Sequence, residues 1–128
     1  FNVEKLYLCG ITATPPHREI QKTALGATET VAWEYRESIS ELVSELKLDG
    51  FSICSVEQTE KTTLLQDVAD LPNGKYALVL GNEVNGVDQD VIDESEHIIE
   101  IPQFGTKHSL NVSVCAGIVM WEFAKKNI

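Results

Sequence analysis

The chain has 128 residues, enough for one domain with a sizeable core, and its 43% hydrophobic and 23% charged residues are ordinary for a globular protein. The formal net charge of −10 argues against nucleic-acid binding through bulk electrostatics, so any such site must be a local basic patch. The three cysteines show neither disulfide nor zinc spacing, which predicts a cytoplasmic protein. The chain has no membrane-length apolar run and no signal-like start, so we expect no membrane association.

The first elements in chain order are a strand and a helix. The apolar run Leu6-Tyr7-Leu8-Cys9 ends at Gly10, a pattern typical of a short buried strand. Pro16 suits the first position of a helix that we expect to run to about Leu25, with Gly26 as its stop.

Arg18 and Lys22 lie four residues apart on one face of that helix and form the main basic cluster of an acidic chain. Two interpretations stay open. The pair is either an ordinary solvated helix face or a contact for the phosphates of a nucleic acid.

Strand and helix patterns then alternate to the end of the chain. Besides a weak helical turn near residues 64–68, the predicted elements are strands over 31–35, 51–56, 76–80 and 97–101, and helices over 36–48 and 88–94. Gly50 is the expected stop of the first of these helices, and Asp88 the expected N-cap of the second. Such alternation is typical of a parallel sheet covered by helices on both faces, so we predict one α/β domain over residues 1–128.

The last helix, starting near Val112, is apolar nearly all round. One face carries Val112, Cys115, Ala116, Val119, Met120 and Phe123, and another carries Val114, Ile118 and Trp121. A helix of this kind is buried on more than one side, and in so small a domain one side can pack on a partner subunit. We therefore expect a homodimer with this helix in or near the interface.

Two loops follow strands in the second half of the chain, where ligands bind in open α/β sheets. The 81–86 segment lacks the Lys-Ser/Thr of a nucleoside triphosphate site, and no dinucleotide, hydrolase or metal-ligand spacing is present. Taken singly, Glu83 is an ordinary solvated carboxylate, and Ser109 and Asn111 are ordinary helix caps.

Their joint spacing is more specific. Leu78-Val79-Leu80-Gly81-Asn82-Glu83-x-x-Gly86-Val87 is followed by Ile101-Pro102-x-x-Gly105-x-x-x-Ser109-Leu110-Asn111-Val112-Ser113. The pair resembles, in order and spacing, the second and third motifs of the SpoU/TrmH family of RNA 2′-O-ribose methyltransferases. The resemblance covers roughly the whole chain.

The resemblance implies a SPOUT fold: a parallel sheet flanked by helices with a deep C-terminal trefoil knot that binds S-adenosylmethionine. Matched position by position, Gly81, Ile101 and Leu110 would contact the cofactor. Leu80, Gly86 and Pro102 would shape its pocket. Glu83, Ser109 and Asn111 would organise the site near the transferred methyl group.

The family's activating arginine belongs to a first motif that would precede Phe1, so we expect the chain to lack the first strand and helix of a longer protein. The implied reaction is methyl transfer to a ribose 2′-hydroxyl of tRNA or rRNA. Arg18, Lys22 and Lys107 are the candidate RNA contacts. The alternative is a non-catalytic or truncated RNA-binding or dimerisation module that keeps the cofactor pocket. An unrelated α/β small-molecule enzyme is a third reading.

Overall fold

The computed structural model describes residues 1–10, 31–82, 85–105 and 110–128. These residues group into two compact units, Asn2–Leu42 and a larger unit of Val43–Ile128 together with Phe1. The expected helix over 16–25 lies outside the described residues. The single-domain organisation expected over 1–128 stays a prediction.

The smaller unit contains two short parallel strands, β1 (Leu6–Cys9) and β2 (Trp33–Arg36). Their register pairs Leu6 with Trp33 and Cys9 with Arg36. The Tyr35 hydroxyl donates a hydrogen bond of 2.6 Å to the carbonyl of Gly10, the residue at which β1 ends. This bond ties the end of one strand to its neighbour.

Helix α1 (Ile39–Leu48) follows β2 along the chain. The side-chain oxygen of Ser38 accepts a hydrogen bond of 3.2 Å from the Glu41 N–H, so Ser38 caps the helix. The helix ends just before Gly50, as predicted from the sequence.

The larger unit is built on a four-stranded parallel sheet. Its strands are β3 (Phe51–Val56), β4 (Thr63–Leu64), β5 (Lys75–Leu80) and β6 (His97–Glu100). Its helices are α2 (Gln89–Asp93), α3 (Val112–Ala124) and the 3-10 helices Leu65–Asp70 and Lys125–Asn127. The strand order is β4-β6-β3-β5, so β3 lies between β6 and β5.

The core of this unit lies where α3 and the first 3-10 helix pack on the sheet. Its buried members are Cys54, Leu65, Val68, Ile99 and Val119. Burial, with a smaller effect of the Glu96 charge, raises the pKa of the Cys54 thiol to about 12. The thiol therefore stays protonated and packs as a small apolar group.

One sequence expectation needs correction, and another is confirmed in position but lacks its side-chain hydrogen bond. The described strands form two parallel sheets rather than one, because no hydrogen-bonded ladder among the described residues joins β1 and β2 to the other four strands. Asp88 occupies the N-cap position of α2, but its side chain makes no capping hydrogen bond. Its backbone carbonyl accepts from the N–H groups of Val91 and Ile92, the first hydrogen bonds of the helix, so the N-cap position itself is confirmed. The α/β class with parallel strands flanked by helices is confirmed.

Candidate functional site

Three strands of the larger sheet end side by side. Val56, at the end of β3, pairs with Leu80 at the end of β5 and with Ile99 in β6. Since the strands are parallel, the segments that leave them emerge at the same edge of the sheet. The carboxyl edge of an α/β sheet is where ligands bind.

The segment after β5 folds back tightly on itself; we call residues 81–87 the Gly81–Val87 loop, of which residues 83 and 84 lie outside the described residues. The Gly86 N–H donates to the Asn82 carbonyl at 3.1 Å, and the Asn85 N–H donates to Asn82 Oδ1 at 2.7 Å. A Cβ placed on Gly81 would lie only 2.0 Å from the carbonyl carbon of Gly86. Position 81 therefore has no room for any side chain.

Gly86 has a φ of 65°, in the left-handed region that glycine adopts at little cost. A Cβ at this position would also lie 2.5 Å from Glu57 Oε2. Gly81 thus meets a steric need against backbone, whereas Gly86 is favoured chiefly by its positive φ, because the Glu57 carboxylate is the movable end of a side chain.

Glu57 is a site residue that the sequence analysis missed. Its N–H donates to the Ile99 carbonyl at 3.1 Å, which continues the β3–β6 pairing by one residue. Its Oε2 accepts a hydrogen bond of 3.2 Å from the Val87 N–H, and its Oε1 accepts one of 3.1 Å from the Gln58 N–H. The sequence could have indicated Glu57 by its position directly after a predicted strand, because the other loops of the site also follow strand ends at this edge of the sheet.

Helix α3 begins at this edge. Asn111 Oδ1 accepts a hydrogen bond of 2.9 Å from the Ser113 N–H, and the Asn111 carbonyl accepts one of 2.9 Å from the Cys115 N–H. The capping interpretation of Asn111 is confirmed. The cap uses the amide oxygen and leaves the two N–H donors of that side chain for another partner.

These segments enclose a cavity of about 360 Å³. It is lined by Val56, Glu57, Gln58, Leu80, Gly81, Asn82, Asn85, Gly86, Ile99, Ile101, Gln103, Leu110, Val112 and Cys115. Among these described lining residues, Glu57 is the one carboxylate, and no Lys, Arg or His is present. Burial, reinforced by the Glu57 charge, raises the pKa of the Cys115 thiol, so it faces the cavity as a neutral group.

Residues 1–121 match the SpoU rRNA Methylase family. The chain belongs to the SpoU family. The resemblance inferred from the two motifs is thereby confirmed.

Two curated relatives show how much of a SpoU protein the chain represents. It is 32% identical over 119 residues to the 23S rRNA (guanosine-2′-O-)-methyltransferase RlmB of Neisseria meningitidis, covering 93% of this chain and 44% of that protein. It is 31% identical over 107 residues to a "Putative TrmH family tRNA/rRNA methyltransferase" of Staphylococcus haemolyticus, covering 84% of this chain and 42% of that protein. The chain thus spans less than half the length of either relative.

Two solved structures share the fold. The TrmH/SpoU tRNA modifying enzyme of A. aeolicus superposes with a TM-score of 0.79 at 27% identity, covering 94% of this chain and 61% of that one. An AdoMet-bound rRNA methyltransferase of Sinorhizobium meliloti superposes with a TM-score of 0.87 at 18% identity, covering 98% of this chain and 47% of that one. At that lower identity the likeness shows the fold alone.

The structure brings together five of the six expected cofactor-binding residues. The five that line the cavity are Leu80, Gly81, Gly86, Ile101 and Leu110. Pro102 is half-buried but is not a lining residue. Neither is Asn111, whose described contacts are those of a helix cap. The other expected site residues, Glu83, Ser109, Arg18, Lys22 and Lys107, lie outside the described residues.

No described helix is long and apolar enough to cross a bilayer. Within residues 1–10, 31–82, 85–105 and 110–128, no cluster of three or more His, Cys, Asp or Glu side chains is placed to hold a metal ion.

Proposed function

We propose that this chain is the cofactor-binding part of an S-adenosylmethionine-dependent RNA 2′-O-ribose methyltransferase. The observation that carries the proposal is the cavity at the shared carboxyl edge of β3, β5 and β6, in a chain that belongs to the SpoU family. The reaction type is supported by the relative RlmB, a 23S rRNA (guanosine-2′-O-)-methyltransferase. Solved relatives described with bound AdoMet support the cofactor.

The lining residues fit this cofactor. A volume of about 360 Å³ falls within the range of roughly 300–1,000 Å³ of small-molecule sites. Leu80, Ile101 and Leu110 supply apolar surface for an adenine ring. The segments that carry Ile101 and Leu110, together with Gly81, also offer backbone groups for directional hydrogen bonds. Gly86 shapes the pocket directly, and Pro102 would do so by restricting the backbone next to Ile101.

The bound cofactor would supply an electrophilic methyl group on a sulfonium. A ribose hydroxyl is a weak nucleophile, so the protein has to polarise it and hold it in line with that methyl. In this proposal Glu83, Ser109 and Asn111 orient the groups around the transferred methyl. Asn111 retains two amide N–H donors for this purpose, since its oxygen is used by the helix cap. The activating arginine would come from the family's first motif.

The proposal includes the SPOUT trefoil knot and a homodimer formed through α3. Val114, Ile118 and Trp121 are 52%, 38% and 44% exposed although they are apolar and share one side of the helix. Burying such a face requires a second surface, and a second copy of the chain is the one that family membership favours.

RNA is the proposed substrate, and Arg18, Lys22 and Lys107 are its proposed contacts on a chain of net charge −10. Binding that depends on such a small basic set should weaken steeply with salt and on charge reversal. The three free cysteines are consistent with the reducing cytoplasm where RNA modification would take place.

Two measurements test the proposal. Titration calorimetry with S-adenosylmethionine should give saturable one-site binding, and its absence would refute the cofactor assignment. Incubation of the full-length protein with labelled cofactor and unmodified tRNA or rRNA should then give a 2′-O-methylated nucleoside. Cofactor binding without methylation of either RNA would favour the non-catalytic module.

A further inference from the structure

We propose that Glu57 is a positioning residue that holds the Gly81–Val87 loop in the shape the cofactor requires. The contacts of Glu57 are features of the structure, whereas their effect on cofactor binding rests on the proposed function. Glu57 lies on β3's side of the cavity, whereas the loop follows β5, so the contact joins two segments that are about 30 residues apart.

Strand pairing and a backbone hydrogen bond fix the main chain at Glu57. Its N–H bonds to the Ile99 carbonyl, and the preceding residue, Val56, is paired on both sides, with Leu80 and with Ile99. A side chain that starts from the middle of a sheet has a well-defined origin. The Gln58 N–H to Oε1 bond further limits where the carboxylate can point, so it can support a neighbouring loop.

The carboxylate reaches the loop at its C-terminal end. Glu57 Oε2 accepts from the Val87 N–H at 3.2 Å, and the absence of a side chain at Gly86 leaves the space that this oxygen occupies. The Gly86 N–H to Asn82 carbonyl and Asn85 N–H to Asn82 Oδ1 bonds begin and end inside the loop. They set its local turn, whereas the Glu57 bond sets where the loop lies relative to the sheet.

The loop position matters because Gly81, Asn82, Asn85 and Gly86 form one wall of the cavity. If the loop samples other positions, only the fraction of molecules with the wall in place binds the cofactor at full affinity. A hydrogen bond to a charged group shifts such an equilibrium by about tenfold or more. Loss of the Glu57 acceptor should therefore weaken cofactor binding about tenfold.

The experiment compares Glu57→Ala, Glu57→Gln and Glu96→Ala in the full protein. Glu57→Gln keeps an oxygen acceptor and should retain most of the affinity for S-adenosylmethionine, whereas Glu57→Ala should lose about tenfold. Glu96 is the matched control, because its Oε2 also accepts a strand N–H, that of Ile53 at 2.5 Å, but it does not line the cavity. Glu96→Ala should leave cofactor affinity unchanged.

Hydrogen exchange of the Val87 amide gives a second readout that needs no cofactor. Its exchange rate in the unliganded protein should rise about tenfold in Glu57→Ala and stay near the wild-type rate in Glu57→Gln. If wild-type protein fails to bind the cofactor, the proposed function falls, yet this readout still tests Glu57. Unchanged exchange at Val87 in Glu57→Ala would overturn the positioning role.

Binding of the product S-adenosylhomocysteine, which lacks the sulfonium charge, distinguishes a positioning role of Glu57 from an effect of its charge. A positioning role weakens both ligands alike in Glu57→Ala. If Glu57→Gln weakens S-adenosylmethionine but not the product, the carboxylate acts through its charge and the proposal is overturned. Should Glu57→Ala not fold, Glu57→Met removes the acceptor at nearly constant volume and takes its place in every comparison.

Discussion

Substituting Gly81 by alanine is the sharpest test of the cavity. The new methyl group would lie 2.0 Å from the carbonyl carbon of Gly86 and 2.4 Å from both the Gly86 oxygen and the Val87 nitrogen. Non-bonded carbon atoms sit about 3.5 Å apart or more, so the two backbone segments have to separate by about 1.5 Å. The atoms met are main-chain atoms, which cannot turn aside as a flexible side chain can.

The cost should fall at the upper end of that for overpacking, about 3 kcal/mol in the free energy of unfolding. Because the displaced backbone is a wall of the cavity, we also expect S-adenosylmethionine affinity to fall by at least about tenfold, or 1.4 kcal/mol. Urea unfolding followed by circular dichroism measures the first quantity. Titration calorimetry on the folded variant measures the second.

Gly74→Ala is the matched control, since a Cβ there meets nothing within 4 Å and its φ is not positive. It should change the free energy of unfolding by less than about 0.5 kcal/mol and leave cofactor affinity intact. If Gly81→Ala behaved like Gly74→Ala in both measurements, the close approach of the loop to the end of β5 would be refuted.

Three further changes test the cap, the exposed helix face and the buried thiol. Asn111→Ala removes the acceptor for the Ser113 N–H and should lower the free energy of unfolding by about 1 kcal/mol in urea denaturation. Ile118→Lys places a charge on the exposed apolar face of α3 and should shift the protein from dimer to monomer in sedimentation velocity. Because the pKa of Cys54 is raised in the folded protein, the folded thiol keeps its proton at pH values where an unfolded thiol loses it. The contribution of Cys54 to the free energy of unfolding is therefore full below pH 9.0 and is lost as the pH rises towards about 12. The free energy of unfolding should accordingly fall by at most about 1.4 kcal/mol per pH unit in this range, and Cys54→Ala should flatten the slope.

Each of these changes has its own control. Ser113→Ala keeps the backbone N–H that Asn111 caps, so it should cost much less than Asn111→Ala; equal costs would contradict the cap. Leu48→Lys adds the same charge at a residue that is 91% exposed on α1, and it should leave the sedimentation coefficient unchanged. A monomeric wild-type protein would remove the dimer proposal altogether. If the free energy of unfolding of Cys54→Ala falls with pH as steeply as that of the wild type, other groups cause the fall.

The order of the elements could be predicted from the sequence because local patterns determine it. Strand β3 has the bounds predicted for it, β5 and β6 differ from the predictions by one residue at one end, and α2 differs by one residue at each end. The Asn111 cap could also be predicted, since an amide followed by an apolar run is a local signal. The two motifs predicted the SpoU family, because their spacing is specific even where each residue alone is ordinary.

Other features could not be read from local patterns. The strand order β4-β6-β3-β5 brings the ends of β3, β5 and β6 together, although Val56, Leu80 and Ile99 are far apart in sequence. Asp88 takes the predicted N-cap position of α2, but the lack of a side-chain capping bond there could not be predicted from the sequence.

By itself, therefore, the sequence determined the α/β class, the family and the two loops that carry the candidate site. The tertiary structure decided that Gly81 has no room for a side chain and that Glu57 supports the loop at Val87. The Glu57–Val87 bond joins segments 30 residues apart that meet only after the strands have paired. The Gly81 contact lies within one loop and depends on how closely that loop folds back on the end of β5. Neither follows from the periodicity of a strand or a helix.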